Sequence, residues 1–517
     1  MKKIINILFF FICIFLIFNN VSKNMQVSFI GGILFNKLSF YPFIIGFIYT
    51  IYHKYKWFSI KFNIFLKFIL ICFIVLLAST INGLYNYPYY NLLLSGPITQ
   101  IERLPEVINL FKSLGIDLDI KILIVLGFII RTIKGVLFDV LYTFGGAYMI
   151  YYWYHYNWKI AFKIVIDAVK ISLIVIFLYN VIEICYLSGN ENATSLLKVI
   201  TPYFHIVYDS GSAWPPLLWP GQLRSIFSEP SYYGIYFAFA MPLLWYITIT
   251  NLKIIYQILL SFSIIFFTFC LFLTQARTAV LLFFGELLIL VLLIIYLRNK
   301  TLIKRSINIF ICVFIAFVMS NIYISNIQIY NTYNVKNVEQ YIDSNIISLV
   351  STTKRSNNIR YSNIISDIKI GLDYPLFGVG NGLRNAYKID YFPNMAKDNE
   401  EIKRWVKRIE RYGILTNEFP RAEYTSRFAE TGIVGLVLFL IPPFILLHKL
   451  YLKITDKNMV IDDKLPYVFF TISLIGIMTS GLGDSINITF CYWVLLGLGY
   501  AMCFEKTNNK ERETNHE

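Results

Sequence analysis

Apolar stretches of about 20 residues recur along nearly the whole chain, and each is long enough to cross a bilayer as a helix. In hydrocarbon a backbone amide finds its partner only within its own helix, so such a chain folds as a polytopic helical membrane protein. Composition agrees: of 517 residues 57% are hydrophobic, 18% aromatic and 15% charged, which excludes an ordinary water-soluble enzyme. The reading is all-α, with about 12 spans at roughly 4–20, 28–52, 64–84, 133–154, 166–187, 231–250, 254–274, 277–297, 304–324, 427–450, 464–482 and 485–503. Lys2 and Lys3 followed by an apolar run to Phe18 read as the first span, because no small-residue cleavage site follows.

The net charge of +15 would suit a nucleic acid, yet the cations are dispersed among the spans. With both termini inside, they collect at Lys54, Lys56 and Lys61, at Lys159 and Lys163, at Arg298, Lys300, Lys304 and Arg305, and at Lys449, Lys453 and Lys457. Positive-inside topology accounts for this, and no nucleic-acid partner is expected. The seven cysteines lie in or at the ends of spans, so neither a disulfide framework nor a metal-binding cysteine pair is implied.

Four regions follow: a transmembrane part over 1–325 with outer loops at 85–120 and 188–230, a long outer segment over 326–426, further spans over 427–504, and an inner tail over 505–517. The outer segment, about a hundred residues between apolar spans, is too long for a connector and reads as a small domain over the membrane. Its Lys and Arg outnumber its Asp and Glu. The run 121–140 carries Arg131, Lys134 and Asp139, awkward in lipid, and reads as either a surface-lying helix or part of a polar interior.

Chemistry-bearing residues gather on the outer side. Arg224 precedes Ser228-Glu229-Pro230-Ser231, where Pro230 sets a helix start and leaves Glu229 at its mouth. An Arg and a Glu at the mouth of a span either cap and solvate or serve a site. Thr274-Gln275-Ala276-Arg277 forms a turn between two spans, with Arg277 either an interfacial anchor or a ligand group. Asn358-Ile359-Arg360-Tyr361 is followed by Asp373-Tyr374-Pro375-Leu376-Phe377-Gly378-Val379-Gly380, and then by Glu423 through Arg427, Glu430, Gly432 and Gly435. The glycines at 378, 380 and 382 lack the spacing of a dinucleotide fingerprint and make either a tight turn or an amide nest. Asp117 and Asp119 read as a solvated edge. Lys403, Arg404, Lys407, Arg408 and Arg411 form a basic helical face, either solvated or gripping an anion.

These segments, in this order and on one side, resemble bacterial O-antigen and capsular polysaccharide polymerases of the Wzy type, and the related O-antigen ligases. The "EPS" run, the polar-Arg turn, the Arg-bearing helix leading into "P-L-x-G-x-G", and "E-x-G-x-x-G" carry the likeness over about 220–440. Ligases carry a histidine in the long loop, whereas here none lies between Asn326 and Ser426, and His205 lies in another loop. The resemblance implies a C-type glycosyltransferase-like architecture and a metal-independent enzyme without cofactor. Such an enzyme transfers a polyprenyl-pyrophosphate-linked glycan to a sugar hydroxyl at the outer face of the plasma membrane. Its partners would be the lipid-linked oligosaccharide, membrane lipid, a chain-length regulator and a flippase.

The residues expected to act are Arg224, Arg277 and Arg360 on the pyrophosphate and Glu229 on the attacking hydroxyl. Arg384, Arg427, Glu430, Glu423, Gln275, Trp219 and Tyr232 are expected to bind substrate. A flippase, using Lys37, Arg131, Lys134 and Glu286 as interior charges, suits the asymmetric motifs and the long outer segment less well.

Overall fold

A computed structural model of the protein describes residues 2–22, 25–26, 36–53, 64–101, 104–116, 119–204, 221–251, 253–326, 355–415, 419–487 and 489–504. His205, Trp219, Asp117, the lysines at 54, 56 and 61, the stretch 327–354 and the tail 505–517 lie outside the described residues. Among the described residues all regular structure is helical. Ten helices position the site. They are α1 (Ile64–Tyr85), α2 (Ile120–Val140), α3 (Trp158–Leu187), α4 (Pro230–Thr250), α5 (Arg277–Leu297), α6 (Arg355–Asp373), α7 (Arg384–Tyr391), α8 (Glu423–Thr455), α9 (Ile461–Ser480) and α10 (Cys491–Cys503).

Among the described residues six helices are long and apolar enough to cross a membrane: Phe65–Tyr85, Pro230–Thr250, Ile254–Leu273, Arg277–Leu297, Leu302–Ser325 and Glu423–Thr455. Helices also occupy the other expected places, but they are shorter or more polar: Lys2–Ile14, Phe40–His53, α2 running on into Gly146–Tyr154, α3, α9 and α10. In five of the six, 28 to 39% of the apolar window is buried, whereas in α4 the figure is 89%. The difference makes α4 the shaft of the bundle, packed on α5, α9 and Ile254–Leu273. Side chains all round it are apolar or aromatic, which is what a helix surrounded by helices requires.

The outer segment does not stand apart. Its Ile370, Val379, Leu383, Tyr387 and Ile409 share one apolar cluster with Leu84, Leu93, Ile101, Leu104, Ile124 and Phe128. The two stretches thus share one core and form a single unit, the cap. Arg131 ties them, donating to the carbonyls of Gln100 and Leu415, each at 3.0 Å. Further along, α2 widens into a π-type turn at Leu141–Gly145. Asp139 and Thr143, just before and within that turn, both face Arg427. Of the three charged residues of this run, Asp139 turns to a polar interior, whereas Arg131 and Lys134 are exposed.

The glycine-rich turn after α6 is seated in a break in α8. Gly432 has φ 63° and ψ −166°, a backbone that side chains rarely adopt, and it interrupts the helical ladder. The freed groups are satisfied by the turn. Val379 and Gly380 donate to the carbonyls of Ala429 and Glu430 at 2.9 and 2.8 Å, and Ile433 and Val434 donate to those of Pro375 and Leu376 at 2.8 and 3.3 Å. A Cβ at Gly432 would strike the Leu376 backbone, and one at Gly378 would strike Glu430. The "P-L-x-G-x-G" and "E-x-G" segments are two halves of one interlock, and the glycines serve a tight turn.

Candidate active site

Two places bring arginines and carboxylates together, and they differ in kind. The first is a recess at the mouths of α4 and α5. Pro230 at the first position of α4 presets its φ, leaving Glu229 extended as the capping residue. Gly234, one turn in, lets α4 approach so closely that an added Cβ would strike the Ala279 backbone of α5. The two helix starts are thereby held side by side, and with them Glu229 and Arg277. Both mouths point partial positive charge toward the recess.

The connecting turns are knitted together: Leu223 N–H donates to Leu273 at 3.0 Å and Gln275 Nε2 to Gly221 at 3.1 Å. Ser225 and Gln275 hold left-handed φ angles of 59° and 48°, a strain tolerated only where the surroundings fix it. Glu183 of α3 fixes the first, accepting from the backbone N–H groups of Arg224 at 3.3 Å and Ser225 at 2.6 Å.

Arg360 reaches this recess from α6 and donates to Thr278 Oγ1 at 2.9 Å. It lies within electrostatic reach of Arg277, of Glu229 and of Asp484 in the loop between α9 and α10. Glu229 is exposed to solvent yet has protein close around it. That surround raises its carboxyl above the ordinary range, against the pull of Arg360 and a 3.5 Å hydrogen bond from Ser231. Burial likewise pushes Asp484 up to about 6, with Arg360 opposing and Glu229 adding to it. Its Oδ2 is buried and accepts no hydrogen bond among the described residues.

The second place is largely buried, with a small cavity beside Asp139, Thr143 and Arg427. Arg427, buried, grips Asp139 with two bonds of 2.9 Å, Glu423 at 2.6 Å and Thr143 at 3.0 Å. Arg384 bridges Asp367 at 3.1 Å and Glu430 at 3.2 Å, and Arg421 meets Glu430 at 3.3 Å. Lys388, fully buried, bonds Asp367 at 3.2 Å and Asn363 at 2.8 Å. Burial lowers its ammonium to about 7, with Arg384 adding and Asp367 opposing. Arg384, Lys388, Arg421 and Arg427 face Asp139, Asp367, Glu423 and Glu430, so charge balances within the network.

The sequence-derived set thus divides. Glu229, Arg277, Arg360 and Gln275 come together at the recess. Arg224 is buried under it, its guanidinium 3.5 Å from the Ser228 carbonyl, where it bears on the shape of the turn carrying Glu229. Tyr232 is half-buried against the bundle core, and Trp219 lies outside the described residues. Arg384, Arg427, Glu430 and Glu423 sit in the neutral network. Asp484 escaped the sequence reading, although an acid in a gap of a few residues between two apolar runs was its signal. Glu183, at the end of a span, left the same kind of signal.

Among the described residues the protein is all-helical, with guanidiniums and carboxylates gathered where the mouths of α4 and α5 meet. Residues 262–440 match the family model described as O-antigen ligase. That match supports glycosyltransferase-like glycan transfer in surface polysaccharide biosynthesis and the O-antigen ligase and polymerase-like group for this chain. It covers Arg277, Arg360, the glycine turn and the Gly432 break, and excludes Glu229 and Asp484. No curated protein and no solved structure matches the chain.

Proposed function

We propose that this protein is a polysaccharide polymerase of the plasma membrane, joining glycan units carried on polyprenyl pyrophosphate at the outer face. The observation that carries the reading is the meeting of Arg277, Arg360 and Glu229 at the paired mouths of α4 and α5. In the transfer, a sugar hydroxyl of one unit attacks the anomeric carbon of another. The bond from that carbon to the pyrophosphate oxygen breaks, and polyprenyl pyrophosphate departs with the electron pair. Charge grows on the leaving oxygens, and guanidiniums, always protonated and shaped for phosphate, stabilise it together with the helix mouths. A carboxylate of the recess, Glu229 by its position, orients the attacking hydroxyl. The buried network acts on the recess indirectly, by fixing the loops around it.

A ligase reading has its own support in the description of the matched family. The two separate in a strain lacking this gene. Under the polymerase reading, the restored wild-type gene converts a single capped repeat unit into a ladder of lengths on a gel of surface polysaccharide. Under the ligase reading, it changes only whether an already made polymer is attached. Restoration of neither would sink both.

A further inference from the structure

We propose that Asp484 is a second carboxylate of this recess, and that it receives the proton of the attacking sugar hydroxyl while Glu229 remains as the counter-charge to Arg360. The inference rests on the glycan-transfer reading and adds a residue that the family match does not cover.

Three features single Asp484 out. Its Oδ2 is buried with no donor bonded to it among the described residues, an acceptor left open where most buried acceptors are satisfied. Its loop is clamped. Glu423 N–H donates to the carbonyls of Gly481 at 2.9 Å and Asp484 at 3.3 Å, and the Glu423 carboxylate accepts from Ser485 Oγ at 3.0 Å and Ile486 N–H at 3.1 Å. Asp484 N–H donates to Ser480 at 3.0 Å, holding the loop on the end of α9. Finally, it stands in the fields of Arg360 and Glu229 without forming an ion pair with either among the described residues. A proton acceptor must be fixed and reachable, and its affinity must lie near the working pH. Asp484, at about 6, meets the last condition.

The charged and titratable groups around it are Arg360 on α6, Glu229 at the mouth of α4, Arg277 beside Arg360 on α5, and Glu423 and Tyr424 on α8. Lys37 bonds the far end of the same loop at Asn487. In the step itself, the hydroxyl oxygen bonds to the anomeric carbon, the pyrophosphate leaves with its electron pair, and the hydroxyl proton passes to the half-buried Asp484 carboxylate. Asp484 then returns it to water.

The test is transfer by the full-length protein in vesicles, using lipid-linked glycan extracted from cells lacking this gene, at pH 5 to 8. Wild type is expected to lose rate as pH falls through about 6, because the acceptor becomes protonated. Asp484→Asn should lower kcat by about a hundredfold or more with KM nearly unchanged, and should abolish that acid limb. Asp484→Glu should recover most of the rate with the limb moved. A kcat near wild type in Asp484→Asn, or an acid limb unmoved in it, overturns the assignment. Should Asp484→Asn fail to accumulate, Asp484→Glu decides by whether the limb moves. If wild type itself transfers no glycan from this donor, the transfer reading fails; if wild type transfers normally, only the assignment of Asp484 is at stake.

Discussion

The recess at the α4 and α5 mouths and the network under the cap use the same side chains to opposite ends. In the network every arginine and lysine lies against a carboxylate within 3.3 Å, and the charges cancel. Burying charges is tolerable only with such pairing, and it yields a fixed geometry more than net stability. In the recess Arg360 bonds a hydroxyl, Asp484 keeps an open oxygen, and both carboxyls are pushed upward. Charges held near one another without mutual neutralisation are what a site needs to act on a third party. The difference also explains why arginine number alone misleads in this chain.

The comparison breaks most visibly at Arg427. Arg427→Ala would strand Asp139 and Glu423 in the interior, a loss of about 3–5 kcal/mol, seen as little folded protein and a lowered melting temperature in detergent. Gly432→Ala should act in the same direction, since it places a side chain at φ 63° and against the Leu376 backbone, undoing the interlock. Wild-type stability in either variant would show that the network is not what holds the cap.

On the recess side the readout changes from folding to rate. Arg360→Ala should leave melting unchanged while lowering transfer by about 10²–10³-fold, the loss typical of one donor to a developing negative charge. Glu229→Gln should cost rate as well, and by removing the neighbouring negative charge it should lower the proton affinity of Asp484. The acid limb would then move to lower pH. The smallest effect belongs to the basic helical face: Lys407→Gln, exposed to solvent, should change neither melting nor transfer, and a lost ladder there would mean that this face grips the glycan.

Much of this organisation was legible beforehand. Spans show because lipid demands unbroken apolar helices, and Pro230 and Arg277 show because they punctuate helix starts. The division between recess and network was hidden, since it depends on partners far apart in sequence, such as Asp139 with Arg427 and Lys388 with Asp367. Arg384 and Arg427 look like Arg277 until those partners are placed. Asp484 was hidden for a different reason: a lone acid in a short turn carries no periodicity, and its meaning comes from Glu423 clamping its loop.

The central claim is that the recess works and the network holds. It is tested most directly by expressing wild type, Arg360→Ala and Arg427→Ala in cells lacking the gene, and measuring protein level and polysaccharide length together. The account predicts a normal level of Arg360→Ala with a single capped repeat unit, and a depleted level of Arg427→Ala. A full ladder from Arg360→Ala at normal level, or abundant but inactive Arg427→Ala, would contradict it.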